Sequence, residues 1–141
     1  MSVNRFSIVP TTADLAIEAF GGTLKGLFAQ LGLGLFSIMC DLETVRPMET
    51  LEAAVEAPSR EALLVNWVNE LIYLHEVNQF FACKVRISQM TDTEIKAELL
   101  GEKVNPERHA LLTEVKAATY HDLALEQMAS QGWRAYVLVD V

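Results

Sequence analysis

The chain of 141 residues has the length of one domain with a single core, and no linker or repeat divides it, so we expect one domain over residues 1–141. Hydrophobic residues make up 51% of the sequence, which excludes an intrinsically disordered chain. The formal net charge of −8 argues against strong direct binding of nucleic acid, because phosphate backbones attract clustered Lys and Arg. Proteins, cations or small molecules are the expected partners.

The sequence also indicates a soluble protein of the cytoplasm. Residues 1–10 (MSVNRFSIVP) lack an apolar stretch of signal-peptide length. The most apolar stretch, LGLGLFSIMC, is shorter than the ~20 residues that a membrane-spanning helix needs, so no membrane association is expected. Cys40 and Cys83 are isolated thiols without CxxC spacing, which is typical of a reducing compartment.

A strand followed by a helix is predicted near the start of the chain. Apolar and polar side chains alternate over Asp14–Phe20, which is the period of a β-strand. Thr23 is suited to cap a helix that begins at Leu24 and ends near Cys40, where apolar residues recur every three or four positions. Three glycines lie inside this helix although each costs ~1 kcal/mol relative to alanine. We interpret Gly26, Gly32 and Gly34 as a sign that the helix packs closely on the sheet.

A second strand and a second helix follow. Residues 51–57 alternate between apolar and polar side chains, and Ser59 is a plausible N-cap for a helix with an apolar stripe from Leu63 to Leu74. Another face of this helix is polar and is predicted to be solvated, with a partner surface as the alternative. That face carries Asn66, Asn69, Glu70 and Tyr73.

After Asn78 the pattern predicts only strands. They cover residues 81–88, 95–99, 113–119, 123–128 and 133–139, with turns near His121-Asp122 and Gln131-Gly132. Two helices mixed with strands and followed by a strand meander indicate an α+β fold. We expect a two-layer sandwich in which two helices pack on a mainly antiparallel β-sheet.

The common catalytic patterns are absent from the sequence. His75, His109 and His121 lack zinc-ligand spacing, and no serine lies in a G-x-S-x-G elbow. A metal-dependent hydrolase would need a general base that no motif supplies. We therefore expect a protein that is not an enzyme.

Carboxylates stand at the ends of two predicted strands. Asp14 begins the first strand, Asp140 follows the last one, and Val141 adds the terminal carboxylate. If these strands are antiparallel neighbours, the three groups converge and repel one another unless one is protonated or a cation lies among them. Oxygen ligands suit Ca²⁺ or Mg²⁺ rather than soft metals. A capping Asp14 and a solvated C-terminus are the alternative.

Six segments in a fixed order form a pattern that runs along essentially the whole chain: TTADLAIEAF (11–20), LFSIMCDL (35–42), LLVNWVNELIYL (63–74), GEKVNPERH (101–109), TEVKAATYH (113–121) and LVDV (138–141). In their order and spacing they resemble the archease family. The resemblance implies a small cytosolic cofactor of an RtcB-type RNA ligase, which joins tRNA halves in tRNA splicing and repairs broken RNA. The cofactor would speed guanylylation of the ligase and permit multiple turnover. A chaperone-like modulator of a tRNA methyltransferase is the alternative.

The resemblance also implies a divalent-cation site. Asp14 matches the aspartate of the family's His-Thr-Ala-Asp segment, Asp140 matches the penultimate aspartate, and Val141 matches the C-terminal residue. With the Val141 terminus as a ligand, one added residue should weaken metal binding.

Several positions depart from the family pattern. Thr11 replaces the histidine of His-Thr-Ala-Asp, so a role of that histidine in orienting a carboxylate is not carried over. Asp41 follows Met39-Cys40 where the family has Met-Thr-Asp, and it is either an additional acidic residue of the site or a polar residue at a helix end. Asn105 stands where the family often has aspartate, and His109 in the same loop is a candidate partner contact.

Overall fold

Two antiparallel sheets and two long helices form the structure, a computed structural model that describes residues 4–141. The α+β class is confirmed, but the strands form two sheets rather than the single one expected. The elements in chain order are β1 (Arg5–Pro10), β2 (Leu15–Gly21), α1 (Leu24–Met39), β3 (Glu49–Glu56), α2 (Arg60–Asn78), β4 (Phe80–Met90), β5 (Glu94–Lys103), β6 (Ala117–Ala118), β7 (Ala124–Gln127) and β8 (Trp133–Asp140). A short 3-10 helix, Leu42–Thr44, follows α1.

The first sheet joins the two ends of the chain. Its strand order is β1-β2-β8-β6, and β7 also pairs with β8. Strands β2 and β8 are antiparallel, with Leu15 opposite Val139 and Gly21 opposite Trp133. The sequence pattern did not predict β1, which forms the sheet edge beside β2. The second sheet has the order β3-β5-β4.

Both helices begin at the predicted caps. The Thr23 hydroxyl accepts a hydrogen bond from the Gly26 N–H (3.0 Å), and the Ser59 hydroxyl accepts one from the Ala62 N–H (3.2 Å). Each cap satisfies an N–H of the first turn that has no partner within the helix. The two helices are also joined directly, because the buried Trp67 indole donates to the Phe28 carbonyl (2.8 Å).

The predicted strand over residues 113–119 is wrong for most of its length, since only Ala117 and Ala118 belong to a ladder. The preceding residues bind the end of α1 instead. The Leu112 N–H donates to the Met39 carbonyl (2.9 Å) and the Thr113 N–H donates to the Ile38 carbonyl (3.1 Å). The chain therefore crosses the helix end before it reaches the sheet.

The core lies between the helices and the inner faces of both sheets, and its largest fully buried side chains include Trp67, Phe28, Phe36 and Ile17. Among residues 4–141, no helix is long and apolar enough to span a membrane.

Close packing of α1 on the first sheet explains one of its glycines. A Cβ atom on Gly34 would lie 2.7 Å from the Ile17 Cγ2 atom of β2, which is closer than two carbon atoms approach in proteins. Gly26 is in a different environment, because a Cβ atom there would meet the end of the Asn4 side chain at 3.0 Å.

We expect Gly34→Ala to lower the free energy of unfolding by about 1–3 kcal/mol, the usual cost of overpacking a core. The higher helix propensity of alanine, ~1 kcal/mol, offsets part of this loss. Chemical denaturation measures the difference. Gly26→Ala is the matched control on the same helix and should lose less, because the nearest atom to its added Cβ lies at 3.0 Å on the exposed Asn4 side chain rather than at 2.7 Å on the buried Ile17. Equal losses for both variants would contradict close packing as the reason for Gly34.

Candidate functional site

The ladder between β2 and β8 ends beside the two predicted metal ligands. Its last pair at this end is Leu15 with Val139, and one further step in the same register would set Asp14 opposite Asp140 at the ends of the two strands. Directly opposite residues of antiparallel strands have Cα atoms about 4.5–5.5 Å apart. Both aspartates are half-buried, while Val141 is 40% exposed.

A turn over residues 11–14 holds the backbone of Asp14. The Asp14 carbonyl accepts hydrogen bonds from the Thr11 N–H (3.0 Å) and the Thr11 hydroxyl (3.0 Å). The Asp14 N–H in turn donates to the Thr11 hydroxyl (3.1 Å). Thr11, which stands where the related pattern has histidine, therefore orients Asp14 through the main chain rather than through a ring nitrogen.

Asp140 is held from its other side by the chain that leads into β6. The Asp140 carbonyl accepts a hydrogen bond from the Lys116 N–H (2.8 Å), and Ala117 is its partner in the β6–β8 ladder. The backbones of both aspartates are thus fixed while their carboxylates stay uncommitted: within residues 4–141, neither carboxylate has a hydrogen-bond or ion-pair partner.

The donor set of this edge fits a hard cation. Two carboxylates offer anionic oxygen atoms, which Ca²⁺ and Mg²⁺ prefer. No cluster of three or more His, Cys, Asp or Glu side chains with metal-binding geometry occurs in the described part of the chain. A full coordination shell would thus also need the Val141 carboxylate, backbone carbonyls or water.

Asp41 caps the 3-10 helix that follows α1. Its Oδ1 atom accepts from the Glu43 N–H (3.0 Å), and its carbonyl accepts from the Thr44 hydroxyl (2.6 Å). This is the polar helix-end role that the sequence allowed. A place for Asp41 in the acidic site stays a prediction.

His109 is buried and does not form the partner contact that the sequence suggested. Its residue exposure is 1%, and its ring packs edge-on against Phe81 at 5.5 Å between centroids. The Nδ1 atom accepts from the Asn105 N–H (2.9 Å), so the ring hydrogen lies on Nε2 and is donated to the Glu102 carboxylate (3.0 Å). The ring thus closes the loop over residues 105–109 instead of facing a partner.

Glu102 is the centre of this buried network, and the sequence pattern did not single it out. Its carboxylate accepts from the Arg108 guanidinium (2.5 Å), the Arg46 N–H (2.8 Å) and His109. The hydrogen bond from Arg108 is the largest reason that the pKa of Glu102 falls to about 2, and the Arg46 N–H and His109 lower it further against the opposing effect of burial. The alternation of side chains in β5 predicts that Glu102 faces outward. The only sequence feature that pointed to the buried network was the presence of Arg108 and His109 six and seven residues after Glu102.

Similarity to known proteins shows the family of the chain. A sequence profile described as "Archease protein family (MTH1598/TM1083)" matches residues 6–141. The chain belongs to the archease family. The protein named "Protein archease" from Methanosarcina acetivorans is 38% identical over 141 residues, an alignment that covers 97% of this chain and 96% of the relative.

Two solved structures share the fold of this archease-family chain. The solution structure of protein 1598 from Methanobacterium thermoautotrophicum is 28% identical, covers 96% of this chain and 98% of its own, and superposes with a TM-score of 0.81. The crystal structure of an archease from Thermotoga maritima (TM1083), described as a possible chaperone, has a TM-score of 0.54 at 22% identity and covers 94% of both chains. At that identity the second structure supports the fold alone.

The Glu102 network predicts a specific loss of stability in acid. Because the pKa of Glu102 is lowered in the folded protein, its contribution is complete above the ordinary value of 4.5 and is lost as the pH falls from 4.5 towards about 2. We expect Glu102→Gln to flatten the dependence of unfolding free energy on pH in this window. At neutral pH it should cost about 1–3 kcal/mol, because the Arg108 guanidinium loses a charged acceptor.

Chemical denaturation at a series of pH values measures both effects. Glu98→Gln is the control, since the Glu98 side chain is 41% exposed and pairs with Arg86 at 3.4 Å on the surface. A wild-type pH dependence in Glu102→Gln would show that the network does not set the acid stability.

Proposed function

We propose that this archease-family chain is a non-catalytic, cation-binding cofactor that activates an RtcB-type RNA ligase in tRNA splicing or RNA repair in the cytoplasm. The observation that supports the proposal is the register of the β2–β8 ladder, which leads to Asp14 and Asp140 at neighbouring strand ends, together with the lack of a partner for either carboxylate among residues 4–141. The similarity of the whole chain to the archease family supplies the class of partner.

The cation-binding residues of the proposal are Asp14, Asp140 and the terminal carboxylate of Val141. A Ca²⁺ or Mg²⁺ ion bound there would offset most of the negative charge of these three carboxylates. Thr11 and Lys116 hold the backbones of the two aspartates, so the carboxylates need little reorganisation to bind. On docking, this edge would approach the metal and nucleotide site of the ligase. The cofactor can favour the guanylylation-competent ligase only by binding that conformation more tightly than the other.

The distribution of positive charge supports a protein partner rather than RNA. Five arginines form ion pairs with carboxylates of the same chain. They are Arg46, Arg60, Arg86, Arg108 and Arg134. With these guanidinium groups engaged, the net charge of −8 disfavours binding to phosphate backbones.

A chaperone-like modulator of a tRNA methyltransferase or another RNA-modifying enzyme is the second candidate. Large apolar side chains on the surface favour it, among them Leu111 (56% exposed), Leu112 (59%) and Tyr73 (56%). Such a module would bind through apolar surface and would not need the two aspartates, so the carboxylate variants separate the two candidates.

We expect Asp14→Asn and Asp140→Asn to abolish binding of Ca²⁺ and Mg²⁺, because each removes a formal negative charge and an anionic oxygen ligand. Isothermal titration calorimetry measures the affinity. The increase in melting temperature on adding the cation is a second readout, since a ligand that binds only the folded state stabilises it. Asp122→Asn is the control, because Asp122 is exposed and pairs only with His121 (3.4 Å) among the described residues.

Isothermal titration calorimetry also tests the terminal carboxylate of Val141, the third ligand of the proposal. One residue added after Val141 displaces the terminal carboxylate and should weaken cation binding while leaving the fold intact. If the extended protein binds the cation with unchanged affinity, Val141 is not a ligand. If both aspartate variants bind it with unchanged affinity, the proposed cation site does not exist.

With a cognate RtcB-type ligase, the wild-type protein should accelerate guanylylation and permit multiple-turnover ligation, and Asp14→Asn should lose both effects. Gel-based detection of the guanylylated ligase and of ligated RNA provides the measurement, with Asp122→Asn as the control. Equal rates with and without the wild-type protein would refute the ligase proposal. Full activity of Asp14→Asn would instead favour a role that needs no cation.

A further inference from the structure

A groove of about 380 Å³ lies between the C-terminal end of α2 and the chain segment that crosses the end of α1. One wall consists of His75, Glu76 and Gln79 of α2, and the other is the segment Leu111–Val115. Met39 and Phe81 also line it, and both are almost fully buried core residues. The groove therefore reaches from the surface to the apolar core.

The leucines of the second wall are held in their exposed positions by the backbone. Leu111 forms a bridge with Cys40, and the Leu112 N–H donates to the Met39 carbonyl (2.9 Å). Both side chains nevertheless remain more than half exposed, at 56% for Leu111 and 59% for Leu112. Adjacent leucines anchored in this way offer a fixed apolar surface whose burial by a partner would be favourable.

The charge around the groove selects the chemistry of the partner. Glu76 lines one wall and Glu114 the other, and no Lys or Arg of the described residues lines the groove. The C-terminal end of α2 already binds a cation of the same chain, since the Lys103 Nζ atom donates to the Asn78 carbonyl (2.9 Å), so the two glutamates carry the negative charge of the groove. Lys or Arg beside an apolar side chain would thus find carboxylates next to an apolar floor.

The groove is continuous with the Asp14–Asp140 edge. Its second wall ends at Val115, and the N–H of the next residue, Lys116, binds the Asp140 carbonyl. The four steps along the chain from Leu112 to Lys116 span at most ~13 Å at ~3.3 Å per residue. A partner segment packed on Leu112 would therefore lie within about this distance of the residue whose N–H binds the Asp140 carbonyl.

We propose that the groove binds an extended segment of the partner protein in which a large apolar side chain is flanked by Lys or Arg. The apolar side chain packs against Leu111 and Leu112, and the cationic groups pair with Glu76 and Glu114. The groove thereby anchors the partner beside the aspartate edge. The proposal rests on the proposed function only for the identity of that partner.

Selection from a pool of short random peptides on the immobilised full chain tests the groove directly. Enriched peptides should carry a large apolar residue next to Lys or Arg, and their affinity should fall as salt is added. Leu112→Ser and Glu76→Lys should each weaken a selected peptide by about tenfold or more, as expected for central contacts of an interface. Met48→Ser is the matched control, because Met48 is 69% exposed and does not line the groove.

Three outcomes would overturn the groove proposal: no enrichment, enrichment of neutral or acidic peptides, or binding that Leu112→Ser and Glu76→Lys leave unchanged. Thermal melting shows that each variant is folded. Leu112→Ser should retain Ca²⁺ and Mg²⁺ binding, and Asp14→Asn should retain peptide binding.

These variants separate the groove from the proposed function. If Leu112→Ser loses peptide binding but activates the ligase fully, the groove does not anchor that partner and the anchoring proposal fails while ligase activation stands. If the wild-type protein binds selected peptides in the groove but does not affect the ligase, the groove stands and the proposed function fails.

Discussion

The antiparallel ladder between β2 and β8 is the constraint that determines where Asp14 and Asp140 lie. It joins residues 15–21 to residues 133–139 in the middle of the five-stranded sheet. Ile17 and Val137 are opposite each other and fully buried, so a slip of one residue would turn a row of apolar side chains away from the core. The packing that fixes this register also sets Asp14 opposite Asp140.

The hydrogen bonds around Glu102 fix a second part of the molecule, the loop that ends at His109. A buried carboxylate is costly unless donors surround it, and here the donors come from the segment after α1 and from the loop after β5. This arrangement fixes the loop that ends at His109, and the chain then continues as the wall formed by Leu111–Val115. From there it reaches Lys116 and the Asp140 carbonyl. The buried ion pairs, the groove and the aspartate edge are therefore connected through one continuous stretch of chain.

Local sequence patterns predicted the elements whose signals lie within a few residues. Thr23 and Ser59 cap the two helices because their hydroxyls reach N–H groups three residues later. Alternation also predicted the strands that became β2, β5 and β8. The same alternation was wrong over residues 113–119, because a strand needs a neighbour and the Ile38 and Met39 carbonyls take the N–H groups of Thr113 and Leu112.

By itself the sequence determined the helix caps, the α+β class, the acidic character and membership of a family, since these depend on local chemistry and on the order of motifs. It also indicated that Asp14 and Asp140 belong to one site. Only the tertiary structure decided that β2 pairs with β8 in the register that leads to these two residues, that His109 is buried against Glu102, and that Leu111 and Leu112 border a groove. These contacts depend on strand register and loop closure, which the packing of distant residues selects and which no local pattern encodes.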